Sequence, residues 1–261
     1  MFDVVHRPIS GTLKHMPKQI KAVLFDVGGP LDTETIMDRE IDKQIIASFR
    51  NHGLAVTDDE YATVNRWVID VFAPKTYHSI MWKIAKGDQK LIDLVEAELM
   101  ETVPQRNELR GDFELRDGMP ELLARLSDHG LLLGLAANQP TVAVENMDRL
   151  GILKYFTYQE VSGTIKLRKP DPRLLLHSCE GLGVESHEAI MIGDRLDNDI
   201  VPARMLGMAT IRFVSGRHSN QQPRSWNEAP HADVHTVEDL GATIRQFIAN
   251  PPNTSGDDGP E

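Results

Sequence analysis

Short runs of apolar residues alternate with amphipathic segments through most of the chain, and this alternation predicts the fold class. Four apolar runs have the length and composition of buried strands: residues 22–25, 131–136, 189–192 and 209–214. A shorter candidate strand covers residues 156–161. Helical patterns lie between these runs, at residues 118–129, 142–150, 173–181, 200–206 and 237–248. Continuous apolar strands joined by helices predict an α/β protein with a doubly wound parallel sheet.

A long stretch of helical pattern interrupts the alternation after the first strand. Residues 33–112 contain no strand pattern, and one of their helices opens with a capping box formed by Thr57 and Glu60. The Pro, Gly and acidic residues that follow the last helix are typical of disorder. The pattern divides the chain into a loose N-terminal extension (1–19), a core domain (20–32 and 113–249), a helical cap domain (33–112) and a disordered tail (250–261).

Charge and cysteine content limit the partners and the compartment. The 261 residues include 28 Lys and Arg against 39 Asp and Glu, which gives a formal net charge of −11. This negative balance argues against nucleic acid or an anionic membrane as a partner. Cys179 is the single cysteine and cannot form an internal disulfide, and no apolar run is long enough to span a bilayer. We therefore predict a cytoplasmic protein, and both a monomer and a homodimer remain open.

Polar residues follow three of the predicted strands. Asp26, Asn138 and Asp194 each come at or just after the end of an apolar run. Because ligands bind at the carboxyl ends of parallel strands, these side chains are expected to converge on one crevice. Asp199 lies five positions after Asp194 and is a candidate fourth member, although Asp197 and Asp199 also suit the capping of the next helix. Carboxylates gathered in one crevice need a compensating cation, and hard oxygen ligands favour Mg²⁺.

Lys169 is the candidate cation of this crevice. It precedes Pro170, which disfavours a helical conformation and predicts an extended backbone. A lysine in a loop is most often solvated and has no further role. Beside a metal ion and a nucleophilic carboxylate, however, it would neutralise a phosphoryl oxygen as a point charge.

Four short motifs resemble those of the haloacid dehalogenase superfamily, most of whose members are Mg²⁺-dependent phosphatases and phosphotransferases. The chain resembles the family over residues 21–248, and the insert after the first motif is similar to the family's C1-type cap. The resemblance implies a Rossmann-like core with a helical cap. The motifs occur in the family's order: FDVGG (25–29), LAAN (135–138), KPDP (169–172) and GDRLDND (193–199).

The resemblance implies a role for each matching residue. Asp26 would be the nucleophile that attacks phosphorus and forms an aspartyl-phosphate, which water then hydrolyses. Lys169 would steady both Asp26 and the phosphoryl group of a small phosphorylated substrate. The implied Mg²⁺ ligands are the Asp26 carboxylate, the Gly28 carbonyl, Asp194, and Asp199 either directly or through water.

The sequence departs from the family pattern at three positions. Gly28 stands where the phosphatases carry the aspartate that serves as general acid and base, and Ala137 stands where a Ser or Thr binds phosphate. Pro30 replaces a frequent Thr. Losing a general acid–base group typically costs about 10²–10⁴-fold in rate. Asn138 or backbone N–H groups after Ala137 are candidates to bind phosphate, and Asp32 or His78 to supply a proton, although Asp32 also suits the start of the first insert helix.

Three functions are compatible with this pattern. The first is a Mg²⁺-dependent phosphatase of low activity. The second is a protein that binds metal or phosphate without turnover, which the replacements at positions 28 and 137 favour. The third is a 2-haloacid dehalogenase, which the acidic segment 193–199 argues against because that branch needs no metal.

The insert is expected to determine the substrate. Its two tryptophans are predicted to belong mainly to the apolar core of the insert. The candidates to face the crevice are Trp67, Tyr77, His78, Trp82 and Lys83.

Overall fold

Five parallel strands form one sheet in the computed structural model, which describes residues 19–33, 35–104 and 114–254. The order across the sheet is β2-β1-β3-β4-β5, so the parallel α/β architecture predicted from the apolar runs is confirmed. The strands are β1 (Ala22–Phe25), β2 (Leu132–Leu135), β3 (Ala189–Gly193), β4 (Ala209–Phe213) and β5 (Ala232–Val234).

Strand β1 lies between β2 and β3, and this position places the site. Phe25 pairs with Leu135 on one side and with Ile192 on the other, so the three strands end at the same level. The chain crosses to β2 on one side of β1 and to β3 on the other. Such a reversal opens a crevice at the carboxyl ends of the strands. The residues that follow Phe25 and β3 therefore face the same space.

Helices cover both faces of the sheet because alternate strand residues point to opposite sides. Val23 and Phe25 of β1 pack in one apolar cluster, whereas Ala22 and Leu24 pack in another. The first cluster includes residues of α5 (Met119–Asp128), α6 (Val142–Arg149) and α10 (Val237–Ala249). The second includes residues of α8 (Pro172–Leu182) and α9 (Val201–Met205). A short helix, α7 (Ser162–Ile165), precedes α8.

The helical insert has an apolar core of its own. Buried residues such as Phe49, Val68 and Ile80 form a third cluster, separate from the two that flank the sheet. The capping box predicted at Thr57 and Glu60 is present and begins the second helix. The boundaries of the predicted domains stay a prediction. The helices of the insert are α1 (Thr35–Asn51), α2 (Asp58–Asp70), α3 (Thr76–Ile84) and α4 (Gln89–Glu101).

The structure differs from the predicted elements in three places. The strand predicted at 156–161 is wrong: this segment contributes a single bridge between Tyr158 and Gly134, because a 3₁₀ turn, Leu153–Tyr155, holds the chain just before it. Strand β5 was not predicted, since its three residues include an exposed aspartate. The helix predicted from residue 200 begins earlier, with a π-helical turn at Leu196–Ile200.

The ends of the chain are described only in part. The predicted N-terminal extension lies outside the described residues except for residue 19, and residues 255–261 of the predicted tail also lie outside them. Residues 250–254 are described, and the Asn253 carbonyl oxygen lies 3.0 Å from Nε2 of His231. Among the described residues, no helix combines the length and apolar character needed to cross a membrane.

Candidate active site

Asp26 lies at the carboxyl end of β1, in the crevice between β2 and β3. Its backbone N–H extends the sheet by donating to the Ile192 carbonyl oxygen at 2.8 Å. The next residue turns back on it, because the Val27 N–H donates to Oδ1 of Asp26 at 2.8 Å. Asp26 also lines a cavity of about 690 Å³. The carboxylate is therefore held by its own turn and faces a space that can receive a ligand.

Two further carboxylates lie beside Asp26. Each of Asp26, Asp194 and Asp199 has one oxygen within 4.8 Å of an oxygen of the others. Asp194 and Asp199 are buried, and Asp26 is partly buried. The structure thus brings together three carboxylates that are far apart in the sequence, as the strand-end argument predicted. We call these three residues the acidic cluster.

Two glycines make room for the acidic cluster. A Cβ atom on Gly29, where φ is +86°, would lie 2.7 Å from Cβ of Asp194. A Cβ atom on Gly193 would lie 2.2 Å from Cγ of Asp199. Real Cβ atoms do not approach other carbon atoms so closely. Both glycines are therefore required by the close approach of the carboxylates, and the positive φ of Gly29 also suits the turn after β1.

Lys169 is the cation of the acidic cluster. Its Nζ lies 3.1 Å from Oδ1 of Asp26 and 2.5 Å from Oδ1 of Asp199. The side chain is 1% exposed, so the solvated interpretation of this loop lysine is wrong. Lys169 contacts two of the three carboxylates, and the third, Asp194, interacts electrostatically with Arg116 and Arg195. Three carboxylate oxygens gathered within 4.8 Å of one another fit a hard divalent cation such as Mg²⁺.

Burial and charge act in opposite directions on these groups. Burial raises the pKa of the Asp26 carboxyl to about 6; the Lys169 ammonium opposes this rise and Asp199 adds to it. Burial disfavours the charged form of Lys169, but the carboxylates of Asp199 and Asp26 outweigh burial and raise its pKa. The lysine therefore stays protonated at neutral pH.

Asn138 fixes the position of Lys169. Its Oδ1 accepts from the Lys169 backbone N–H at 2.8 Å, and its Nδ2 donates to the Lys169 carbonyl oxygen at 2.8 Å. These two bonds hold the backbone of the lysine loop beside the end of β2. The sequence predicted that Asn138 would bind the substrate, and that role stays a prediction. The positioning role was not foreseen, since it depends on a loop thirty-one residues away.

Arg116 is a site residue that the sequence did not indicate. Its Nε donates to the Gly29 carbonyl oxygen at 2.5 Å, and a second nitrogen donates to Oγ of Ser215 at 2.7 Å. The guanidinium also stacks on the ring of Phe213, 4.4 Å from the ring centroid. Arg116 thereby supports the turn that follows Asp26. No spacing or motif marks it, because it lies in a stretch of mixed charges after the insert, between Glu114 and Asp117.

The loop that carries Asp194 and Asp199 is itself bonded tightly. Oδ2 of Asp199 accepts from the Arg195 backbone N–H at 3.0 Å, so Asp199 serves its own turn as well as Lys169. Asp197 instead pairs with the Arg195 guanidinium at 2.6 Å and does not belong to the acidic cluster. Burial disfavours charge on Asp197, but its bonds to Arg195 lower its pKa. Asp199 therefore accepts a hydrogen bond that caps its own turn, as one interpretation of the sequence predicted. It also belongs to the acidic cluster.

A cavity of about 690 Å³ lies over the acidic cluster, between the sheet and the insert. Gly28 and Asp32 line it from the core, and Tyr77 and His78 line it from the insert. The two tryptophans do not line it. The prediction that they form the core of the insert is wrong, since Trp67 is 39% and Trp82 50% exposed. Lys83, the remaining candidate, stacks on the Trp67 ring with Nζ 4.2 Å from the centroid.

Known proteins share this sequence pattern and fold. The sequence model of the haloacid dehalogenase-like hydrolases matches residues 20–207. A glyceraldehyde 3-phosphate phosphatase of Methanopyrus kandleri is 27% identical over 238 residues, which cover 87% of this chain and 98% of that protein. A phosphoglycolate phosphatase of Agrobacterium fabrum is 28% identical over 208 residues, which cover 74% and 80%. The crystal structure of a HAD phosphatase from Thermococcus onnurineus has a TM-score of 0.57 at 23% identity, covering 86% of this chain and 98% of that one.

Proposed function

Because the chain belongs to the haloacid dehalogenase-like hydrolases, we propose that this enzyme is a Mg²⁺-dependent phosphatase of a small phosphorylated metabolite. The family membership confirms the resemblance drawn from the four motifs, whereas the type of cap stays a prediction. Both relatives described above are phosphatases of small phosphorylated molecules. The observation that carries the proposal is the acidic cluster with Lys169 buried against it.

The acidic cluster and the turn after β1 would hold the metal ion. The proposed ligands are carboxylate oxygens of Asp26 and Asp194, the carbonyl oxygen of Gly28, and Asp199 directly or through water. Bound Mg²⁺ supplies positive charge next to the phosphoryl oxygens. Lys169 supplies the second positive charge and keeps Asp26 ionised.

Asp26 is the proposed nucleophile. Its Oδ1 is held by the Val27 N–H and by Lys169, so we assign the attack to Oδ2. A bond forms from Oδ2 to phosphorus while the bond from phosphorus to the leaving oxygen breaks, and the leaving oxygen takes up a proton. Water then attacks the aspartyl-phosphate at phosphorus, which releases inorganic phosphate and regenerates the Asp26 carboxylate.

Two positions of the site limit the proposed rate. Gly28 lines the cavity but has no side chain to give a proton to the leaving oxygen. Ala137 is fully buried and has no hydroxyl to bind a phosphate oxygen. A missing general acid–base group typically costs about 10²–10⁴-fold, so slow turnover is expected. The proton source is then water, or a group such as Asp32 or His78 that also lines the cavity.

The same two positions favour a second candidate function. A protein with an intact acidic cluster and no proton-transfer group would bind Mg²⁺ or phosphate without turnover. This candidate predicts Mg²⁺ binding in calorimetry with no phosphate release from any member of a substrate panel.

Phosphate release from p-nitrophenyl phosphate with and without Mg²⁺ tests the proposal. We expect turnover that requires Mg²⁺ and falls by at least about 10³-fold in Asp26→Asn, because the nucleophile is lost. Asp93→Asn makes the same change on the exposed face of α4 and serves as the matched control. Full activity in Asp26→Asn would exclude the aspartyl-phosphate mechanism.

A further inference from the structure

One residue of the core reaches deep into the insert. Arg217 lies in a 3₁₀ turn, Gly216–His218, that follows β4, and its side chain is 7% exposed. Its Nε donates to Oδ2 of Asp38 at 3.1 Å, and a terminal nitrogen donates to both oxygens of Asp42 at 2.8 Å. Both aspartates belong to α1. The core thus supplies the cation for two carboxylates of the insert.

Two tyrosines of the insert complete this arrangement. The Tyr77 hydroxyl donates to Oδ1 of Asp38 at 2.5 Å, and the Tyr61 hydroxyl donates to Oδ1 of Asp42 at 2.5 Å. The Arg217 guanidinium also stacks on the Tyr77 ring, 5.0 Å from its centroid. We call these five residues the Arg217 cluster. If the insert moved away from the core, two neighbouring carboxylates would lose their cation, so the cluster favours the closed position over the cavity.

The segment that carries Arg217 also reaches the loop of the acidic cluster. Gln221 is 1% exposed; its Oε1 accepts from the Leu196 backbone N–H at 2.8 Å, and its Nε2 donates to Oδ1 of Asp197 at 3.0 Å. Leu196 and Asp197 lie between Asp194 and Asp199 in the sequence. A further bond, from Arg212 to the Gln221 carbonyl oxygen at 2.8 Å, fixes the residue to β4.

We propose that the segment 216–221 couples closure of the insert to Mg²⁺ binding, with Arg217 and Gln221 as positioning residues. This inference rests on the proposed function, since it takes Mg²⁺ as the ligand of the acidic cluster. In its observed position, this short segment bonds both to the carboxylates of the insert and to the loop that carries Asp194 and Asp199. A state that favours either contact therefore favours the other. Such coupling is reciprocal. If bound Mg²⁺ raises the equilibrium constant for closure of the insert by some factor, closure raises the affinity for Mg²⁺ by the same factor.

Titration calorimetry with Mg²⁺ on the full-length protein tests the coupling without an activity assay. We expect Arg217→Met to weaken Mg²⁺ binding about fivefold, the low end of typical coupling between sites. Asp42→Asn breaks the same cluster from the insert and should weaken binding in the same direction. Arg224→Ala is the matched control, because Arg224 contacts the insert by stacking on Phe72 at 3.8 Å but is 52% exposed and pairs locally with Glu228.

Hydrogen exchange of the α1 amides gives the reciprocal measurement. Saturating Mg²⁺ should slow this exchange in the wild-type protein, and the slowing should disappear in Arg217→Met. The double variant Arg217→Met with Gln221→Met should weaken Mg²⁺ binding by less than the product of the two single effects, since both residues act through one segment.

The outcomes separate the inference from the proposed function. If the wild-type protein binds no Mg²⁺, both are overturned. If the wild-type protein binds Mg²⁺, and variants with native circular dichroism bind it equally well, only the coupling is overturned. Should Arg217→Met fail to fold, Asp42→Asn decides by the same measurement.

Discussion

Two ion clusters differ in how many of their carboxylate oxygens bond within the protein. The acidic cluster lies at the carboxyl ends of the strands, and the Arg217 cluster joins the core to the insert. In the Arg217 cluster, all four oxygens of Asp38 and Asp42 accept a hydrogen bond from Arg217 or from a tyrosine hydroxyl. In the acidic cluster, Lys169 contacts one oxygen of Asp26 and one of Asp199, and Asp194 interacts electrostatically with Arg116 and Arg195. The carboxylates of the first cluster bond fully within the protein, whereas those of the second gather the oxygen ligands that a cation such as Mg²⁺ would bind.

The choice of cation matches this difference. The planar arginine fork offers several donors in fixed directions and suits a permanent junction between two parts of a protein. The lysine ammonium is a compact point charge, which suits a site where a phosphoryl group and a metal ion arrive and leave. The comparison therefore predicts chemical effects for changes at the acidic cluster and structural effects for changes at the Arg217 cluster.

Completing the site at position 28 should have the largest effect. Gly28 is not among the described residues with positive φ, so a side chain there introduces no backbone strain. Gly28→Asp should raise kcat for an alkyl phosphate by about 10²–10⁴-fold, because it supplies the missing general acid. The gain should be smaller for p-nitrophenyl phosphate, whose leaving group needs no proton. Gly28→Asn is the control, and an equal gain in both variants would contradict proton transfer.

Removing the Lys169 ammonium should disrupt the acidic cluster. Lys169→Met removes the ammonium that contacts Asp26 and Asp199, and it should lower kcat by about 10²–10³-fold, the usual effect of losing one electrostatic contact to the transition state. The melting temperature of this variant should then depend more strongly on Mg²⁺ than that of the wild-type protein. Lys90→Met on the exposed start of α4 is the control. Unchanged kcat would show that Lys169 has a structural role alone.

The sequence could predict the sheet and the acidic residues because both depend on local pattern. Buried parallel strands are apolar throughout, and the residue after such a strand lies at the ligand edge whatever the rest of the fold. The predicted strand at 156–161 failed for a local reason too. Aromatic residues there resemble a strand, but the side chain of Gln159 donates to the Leu153 and Phe156 carbonyl oxygens and holds a turn.

The supporting residues of the site could not be predicted in the same way. Arg116, Arg217 and Gln221 lie in irregular segments, and their partners are 87, 175 and 25 residues away. No periodicity connects such positions, and only the topology brings them together. The location of Asn138 at the end of a strand could be predicted from the sequence. Its bonds to Lys169 could not, because they depend on where the fold places a loop that is distant in the sequence.

Breaking the Arg217 cluster should affect stability more than chemistry. Arg217→Met should lower the free energy of unfolding by about 3 kcal/mol, since two largely buried carboxylates lose their partner. Urea unfolding followed by circular dichroism measures this loss. Arg217→Lys should lose less stability than Arg217→Met, because lysine keeps the positive charge but lacks the several fixed donors of the guanidinium group. A loss as small as that of the control Arg224→Ala would contradict a buried junction.

His218 follows Arg217 in the sequence and lines the cavity, and it should give the smallest effect, visible as pH dependence. Burial lowers its pKa to about 3; Arg195 and Arg217 add to this decrease, and Asp197 opposes it. Below about pH 6.5 the unfolded chain binds a proton at this histidine and the folded chain does not, so stability falls as the pH falls. Between pH 7 and pH 5 this loss amounts to about 2 kcal/mol.

His218→Gln should remove this part of the pH dependence. Urea unfolding at pH 7 and pH 5 should therefore give a smaller loss of stability in the variant than in the wild-type protein. His187→Gln, at an exposed position before β3, is the matched control and should follow the wild-type pH dependence. If His218→Gln also followed the wild-type curve, the imidazole would have the same pKa in the folded protein as in the unfolded chain. Burial and the neighbouring arginines would then not disfavour its protonation, and a contribution of His218 to the pH dependence would be excluded.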